Sequence, residues 1–146
     1  MEIKTKYITP DDFKDYFGID LDLELKNSAN PSNTADAFLL RIENRIAGFL
    51  DAQFYRQVDK EYPQFTDYQK KHYALALLEQ AKYVYKNGEI AEDSWMEYES
   101  GEVASDDKII SKMIAPYCRQ ELLLCGLWCR KVRGRRSRGI WGGFWL

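Results

Sequence analysis

Four side chains in this sequence could form a metal or thiol site: Cys118, Cys125, Cys129 and His72. The three cysteines are seven and four residues apart, which places them on one face of a helix. A zinc site needs a fourth ligand, which His72 could supply, but the chain contains no Cys-x-x-Cys pair. Free cysteines, and histidines on the apolar face of a helix, are commonly core residues. We therefore expect a structural role, and keep a metal or thiol enzyme as a third interpretation.

Other catalytic signatures are missing from the sequence. The carboxylate pairs Asp11/Asp12 and Asp106/Asp107 stand at predicted helix starts, where helix capping and the helix dipole explain them. The chain contains no Gly-x-x-x-x-Gly-Lys-Ser/Thr phosphate loop and no Gly-x-Gly-x-x-Gly dinucleotide fingerprint. We expect no catalytic site, no metal and no cofactor.

The segment that most needs an explanation is the C-terminal tail, residues 130–146. It holds six of the 21 basic residues and none of the 23 acidic ones, so residues 1–129 carry 15 basic and 23 acidic side chains. Basic side chains neutralise phosphates or acidic grooves, and large rings stack on bases or fill apolar pockets. We expect partner binding by Arg130, Lys131, Arg133, Arg135, Arg136, Arg138, Ile140, Trp141, Phe144, Trp145 and Leu146.

Length and composition predict two parts, a helical domain over residues 1–129 and the docking tail over residues 130–146. The 146 residues suffice for one domain with its own core. No apolar run approaches the ~18 residues that a membrane helix needs, and the first residues lack an apolar signal region. Three cysteines cannot all pair within one chain. We expect a protein of a reducing cytoplasm, away from membranes.

The first half of the chain predicts two helices and a strand. Thr9 and Pro10 begin a short helix that Gly18 ends. Residues 19–26 alternate apolar and polar side chains, which predicts a short strand. A long helix follows over residues 34–58, with a close helix crossing expected at Gly48. Its polar face is assigned to Arg41, Glu43, Asn44 and Arg45.

The second half predicts three more segments. A helix over residues 67–86 presents an apolar stripe of Tyr68, His72, Leu75, Leu78, Ala81 and Tyr85, thickened by Tyr73, Ala74, Ala76 and Leu77. Residues 89–104 are acidic and read as a long loop or a short hairpin. Ser105 to Asp107 cap a further helix, and Pro116 either kinks it or begins a new one that runs to about Trp128. The fold class is mainly α: a small bundle of four to five helices with a long loop and an extended C-terminal tail.

Three stretches of sequence resemble one known family. They are YITPDDFKDYFGI at residues 7–19, AFLLRIENRI at residues 37–46 and YALALLEQA at residues 73–81. Together they resemble the head-tail connector proteins of tailed bacteriophages, also called adaptor or head completion proteins. The resemblance covers roughly residues 5–128 and consists of helical patterns.

The resemblance implies a structural protein of the virion, assembled in the host cytoplasm and located in the neck between head and tail. It implies a homo-oligomeric ring, a dodecamer in many members, that sits below the portal protein and continues the DNA channel. A tail-side connector or stopper protein would bind the other side, and DNA would pass without sequence-specific binding. By position, the C-terminal tail matches the family segment that reaches into the portal. A nucleic-acid-binding protein that uses the tail is the alternative.

Overall fold

The computed structural model describes residues 3–26, 34–88, 94–95 and 107–128. Within these ranges it contains seven α-helices and no strand. The helices are α1 (Pro10–Phe17), α2 (Leu21–Lys26), α3 (Ala35–Phe54), α4 (Val58–Glu61), α5 (Asp67–Lys86), α6 (Asp107–Met113) and α7 (Pro116–Leu124), with a 3-10 turn at Tyr62–Gln64. The predicted mainly α bundle is confirmed. The helix count exceeds four or five because the short α2 and α4 form where none was expected.

Helix α1 forms as the sequence predicts. The Thr9 hydroxyl accepts the Asp12 N–H at 3.1 Å, and the Asp12 carboxylate accepts the Thr9 N–H at 3.0 Å. This reciprocal capping box satisfies two donors that would otherwise lack partners at the helix start. Gly18 ends the helix with a left-handed φ of 73°, a conformation that glycine adopts without a steric penalty.

The predicted strand over residues 19–26 is wrong, because this segment forms helix α2. The Asp20 carboxylate accepts the N–H groups of Asp22 and Leu23, so it caps a helical turn. Leu21 is buried and Leu25 is partly buried, whereas Leu23 is 60% exposed. Leucines four residues apart share one helix face, so the alternating pattern also fits a helix with Leu23 on the outside.

Helix α3 ends four residues earlier than expected. Its start is capped by Thr34, whose hydroxyl accepts the Ala37 N–H at 3.2 Å. At its end Tyr55 adopts a left-handed φ of 57°, and the chain then turns into α4. A side chain with a Cβ rarely adopts this conformation, so no residue type at this point predicts the stop at Phe54.

Helix α5 packs along α7 and against α3. It begins with a Thr66–Gln69 capping box, as the Thr66 position predicts. The predicted apolar stripe is only partly right, since Leu78 and Ala81 are buried but Tyr68 is 53% exposed. The buried face consists of the predicted Tyr73, Ala76, Leu77, Leu78 and Ala81, together with Gln80 and Val84.

The C-terminal part of the described chain contains two helices joined by a short corner. Pro116 begins α7 at its first turn, which decides between the two predicted roles of this proline. Helix α7 ends at Leu124 instead of reaching Trp128, and the chain turns at Gly126 with a φ of 80°. Of the predicted 89–104 loop, the structure describes Ser94 and Trp95, which are helical and buried; the rest lies outside the described residues.

Within the described residues, no helix has both the length and the hydropathy that crossing a membrane requires.

Candidate functional site

A buried carboxylate on α3 holds the N-terminal segment in place. Glu43 is 1% exposed and accepts the backbone N–H groups of Lys6, Tyr7 and Ile8 at 2.8, 2.7 and 3.1 Å. Hydrogen bonds to a charged acceptor are about twice as strong as neutral ones. The assignment of Glu43 to a solvent-facing polar face is therefore wrong. Its spacing, four residues after Leu39 and three before Ile46, is the signal that could have placed it inside.

Tyr7 connects the N-terminal segment to α4. Its hydroxyl donates a hydrogen bond to the Asp59 carboxylate, which also pairs with the Lys6 ammonium at 3.3 Å. The bond from Tyr7 holds the pKa of Asp59 below its usual value, and burial raises the pKa of Tyr7. The Tyr7 ring packs on Tyr62 and Tyr73, with centroid distances of 4.5 and 5.4 Å. The anchoring thus joins residues 6–8 to α3, α4 and α5.

Gln80 performs a similar role at the corner between α6 and α7. Its amide donates to the Met113 carbonyl at 2.7 Å and accepts the Ala115 N–H at 2.8 Å. The side chain is 1% exposed, so both backbone groups are satisfied away from water. No local sequence pattern predicts this role of Gln80, because Met113 and Ala115 are more than thirty residues away in the sequence.

Of the four residues considered for a metal or thiol site, the structure describes His72, Cys118 and Cys125. His72 contacts the Glu121 carboxylate through Nδ1 and packs on the Tyr68 ring at 4.3 Å. Cys118 and Cys125 are buried free thiols, and burial raises the pKa of both. Within the part of the chain that the structure describes, no three His, Cys, Asp or Glu side chains are placed to hold a metal ion. Cys129, Asp106 and the Asp107 side chain lie outside that description.

The short segment Cys125–Trp128, here called the junction, is fixed to the body just before the tail begins. Gln69 donates to the Cys125 carbonyl at 3.2 Å, and Arg56 donates to the Gly126 carbonyl at 3.0 Å. Arg56 is itself oriented by the carboxylate of Glu61, at 2.7 Å. Both carbonyls follow Leu124, the last residue of α7, so the two side chains satisfy acceptors just beyond the helix end.

Trp128 closes the junction with aromatic contacts. Its ring packs on Phe49 and Phe54, each at a centroid distance of 5.2 Å, and the Arg119 guanidinium lies 5.0 Å from it. Trp128 is 8% exposed. The predicted docking residues of the tail, Arg130 to Leu146, and the predicted domain boundary after residue 129 lie outside the described residues. The structure therefore fixes the point from which the tail departs.

An apolar groove of about 510 Å³ runs along the outer face of α3. Phe49, which carries Trp128 on one side, also forms part of the groove wall. Trp95 faces Phe49 edge-on at 6.5 Å, and the Arg45 guanidinium lies 5.5 Å from the Trp95 ring. The α3 side of the groove is formed by Ala37, Leu40, Arg41, Asn44, Arg45, Gly48 and Phe49.

A polar groove of about 400 Å³ adjoins the apolar one and shares Asn44 and Gly48 with it. It lies between α3 and α4 and contains the carboxylates of Asp51 and Asp59 and the ammonium of Lys60. The close helix crossing expected at Gly48 is wrong for the described residues, since a Cβ built there would meet none of their atoms within 4 Å outside its own stretch of helix. Gly48 instead stands in the open floor between the two grooves.

No protein-family model, no curated protein and no solved structure matches this chain. The function has to be inferred from the chemistry of the junction, the two grooves and the charged surfaces.

Proposed function

We propose that this protein is a structural head-tail connector, or adaptor, of a tailed bacteriophage. Its copies form a ring that joins the portal to the tail and continues the DNA channel, with the C-terminal tail bound to the portal. The observation that carries the proposal is the separation of charge: all 23 acidic residues lie in residues 1–129, and residues 130–146 carry six basic residues without an acid. The family resemblance of residues 7–19, 37–46 and 73–81 points the same way.

The first two helices supply an acidic surface suited to a DNA channel. Asp11, Asp12, Asp15, Asp22 and Glu24 are all exposed there. Carboxylates on a channel wall repel phosphates and let a duplex slide without adhering, an effect that salt screens over about 10 Å at 0.1 M. This surface is rigidly attached, since α1 is capped at both ends and residues 6–8 are held by Glu43.

The fixed junction supports a docking role for the tail. A partner that binds the tail is attached to the helical body through the junction, which Gln69 and Arg56 hold by hydrogen bonds and Trp128 by its contact with Phe49. Tryptophan and arginine are the side chains that most often dominate binding energy at interfaces. Trp141 and Trp145 would fill pockets on the portal, and the arginines would pair with its carboxylates.

A ring needs two different complementary patches on each subunit, because each copy meets its neighbour head-to-tail. Exposed apolar side chains on α5 and α7 supply one such patch: Tyr117 is 67% exposed, Leu124 is 47% exposed and Tyr68 is 53% exposed. Tyr117 and Leu124 are seven residues apart and therefore lie on one face of α7. The grooves on α3 supply a different surface.

Capture by the portal protein encoded in the same genome tests the proposal. Full-length protein should be retained on immobilised portal, and protein lacking residues 130–146 should not be, while circular dichroism shows the same helix content in both. Two full-length variants separate the contributions: one with Trp141, Phe144 and Trp145 changed to Ser, and one with the six basic tail residues changed to Gln. Leu23→Glu, an exposed change on α2, is the matched control. Retention of the tail-deleted protein at full-length affinity would contradict the docking role.

The alternative, a nucleic-acid-binding protein, is favoured by the six positive charges and three large aromatic side chains of the tail. Such a protein would bind duplex or single-stranded nucleic acid with an affinity that falls steeply with salt. A gel shift at 50 and 200 mM salt with full-length and tail-deleted protein decides between the two functions. Salt-dependent shifts by the full-length protein only, without portal capture, would favour the alternative.

A further inference from the structure

We propose that, before a partner is met, the tail of each chain lies along the outer face of its own α3, with residues 140–146 in the apolar groove. This contact involves no portal, so it can be tested on the isolated protein, separately from the proposed function. It would keep Ile140, Trp141, Phe144 and Trp145 out of water until a partner displaces them. Exposed clusters of such side chains promote aggregation.

The position of the junction is the first argument. Trp128 packs on Phe54 near the end of α3 and on Phe49, which is part of the wall of the apolar groove. The tail therefore departs next to the groove. Its 17 residues reach at most about 55–60 Å when extended. The distance along α3 from Asp51 back to Ala37 is about 21 Å.

The order of chemistry along α3 is the second argument. Along α3, the polar groove extends to Asp51, nearer the helix end on which Trp128 packs, and the apolar groove extends back to Ala37. The tail has the same order, with its basic residues in 130–138 and its aromatic residues in 140–146. Asp59 already pairs with Lys6 and Lys60 lies nearby, so Asp51 is the carboxylate best placed for the arginines.

The composition of the groove is the third argument. Rings from Phe49 and Trp95 and aliphatic groups from Leu40 and Ala37 form an apolar surface that a tryptophan or phenylalanine side chain fits. The guanidinium groups of Arg41 and Arg45 lie over the neighbouring rings of Phe38 and Trp95, at 6.0 and 5.5 Å. Both can stack on an incoming aromatic ring. A tethered segment binds at a high effective concentration, so a modest contact suffices.

Gly48 provides a matched pair of variants. Gly48→Ala adds a methyl group to an open site and leaves the groove free, whereas Gly48→Leu fills the floor shared by the two grooves. Leu40→Glu, which adds charge in place of bulk, is an independent second disruption. Circular dichroism and the thermal midpoint establish that each variant keeps the fold.

Hydrogen exchange of the full-length protein, read by mass spectrometry, is the test. In the unaltered chain and in Gly48→Ala, the amides of residues 140–146 should exchange at least about tenfold more slowly than in an unstructured peptide. In Gly48→Leu and Leu40→Glu they should exchange at the peptide rate. Fast exchange in the unaltered chain, or protection that survives both disruptions, would overturn the proposal.

A mixing experiment distinguishes the chain's own groove from that of a second copy. Gly48→Leu chains, with an intact tail, are mixed with full-length chains in which Trp141, Phe144 and Trp145 are Ser and the groove is open. Tails of the Gly48→Leu chains should stay unprotected in the mixture. Recovered protection would show that the tail occupies another copy's groove and would overturn the own-chain arrangement.

Discussion

The interior of this protein and the outer face of α3 differ in the surroundings of their polar residues. Inside, Glu43 and Gln80 are 1% exposed and are fully engaged by distant backbone groups. Outside, Gly48 and Asp51 stand on an open surface with two grooves. A buried polar side chain is kept for the structure it completes, because removing it leaves unsatisfied partners. An open groove beside the start of the tail is where partner binding is expected.

Loss of the Glu43 carboxylate should have the largest effect. Glu43→Ala leaves three N–H groups of residues 6–8 without an acceptor, so we expect the free energy of unfolding to fall by about 3–5 kcal/mol. Urea unfolding followed by circular dichroism measures it. Arg41→Ala, two residues away on the exposed face, should change stability by less than about 0.5 kcal/mol. Equal effects of the two changes would remove the contrast between interior and outer face.

Gln80 tests the interior at a second position. Gln80→Leu keeps a side chain of similar size but cannot satisfy the Met113 carbonyl and the Ala115 N–H. We expect a loss of about 2–3 kcal/mol, measured by the same unfolding experiment. Gln69→Leu removes the bond to the Cys125 carbonyl and the bond accepted from the Thr66 N–H, both from a half-buried position, and should cost less. A larger loss for Gln69→Leu would contradict the ranking by burial.

Alkaline pH should weaken the interior selectively. Burial raises the pKa of Cys118 above its ordinary 9.0 and that of Tyr73 above its ordinary 10.0. Above pH 9 the unfolded chain loses these protons first, so stability is full below that pH and falls as pH rises, by up to about 1.4 kcal/mol per unit for each group. Unfolding at pH 7, 9 and 10.5 should show about 3 kcal/mol lost at the highest pH, about 2 from Cys118 and about 1 from Tyr73. Cys118→Ala should flatten the profile, and a flat profile in the unaltered protein would contradict the assignment.

The smallest effect is expected on the outer face. A Cβ at Gly48 would contact no other segment among the described residues. Gly48→Ala should therefore raise the free energy of unfolding by about 0.5–1 kcal/mol through the better helix propensity of alanine. Thermal unfolding measures the gain, and Ala47→Gly, the reverse change at the neighbouring half-buried position, should lower stability. A loss of stability in Gly48→Ala would mean that something packs closely against this face.

The sequence predicts best what depends on neighbouring residues. The caps at Thr9, Thr34 and Thr66 use partners three residues away, and the helices that they begin were all predicted. The alternation over residues 19–26 predicts a strand, because apolar residues stand at every second position. The same pattern places apolar residues four apart, as one face of a helix requires, so it does not exclude α2. The stop at Tyr55 was missed because its positive φ is set by the turn into α4 and not by its residue type.

The candidate site was predictable only in part. The tail stands out in the sequence by charge and aromatic content alone. The grooves depend on contacts between distant segments, such as Phe49 with Trp95 and with Trp128, which no local pattern reveals. The role of Glu43 depends on N–H groups more than thirty residues earlier, although its spacing from Leu39 and Ile46 carried a signal.

The mass of the protein in solution, alone and mixed with the portal encoded in the same genome, tests the central claim most directly. We expect a complex whose mass exceeds that of the portal by a whole number of copies consistent with a ring. The same mixture with the tail-deleted chain should give only the separate masses. A portal whose mass is unchanged by the full-length protein would contradict the account of a helical body attached through its basic, aromatic tail.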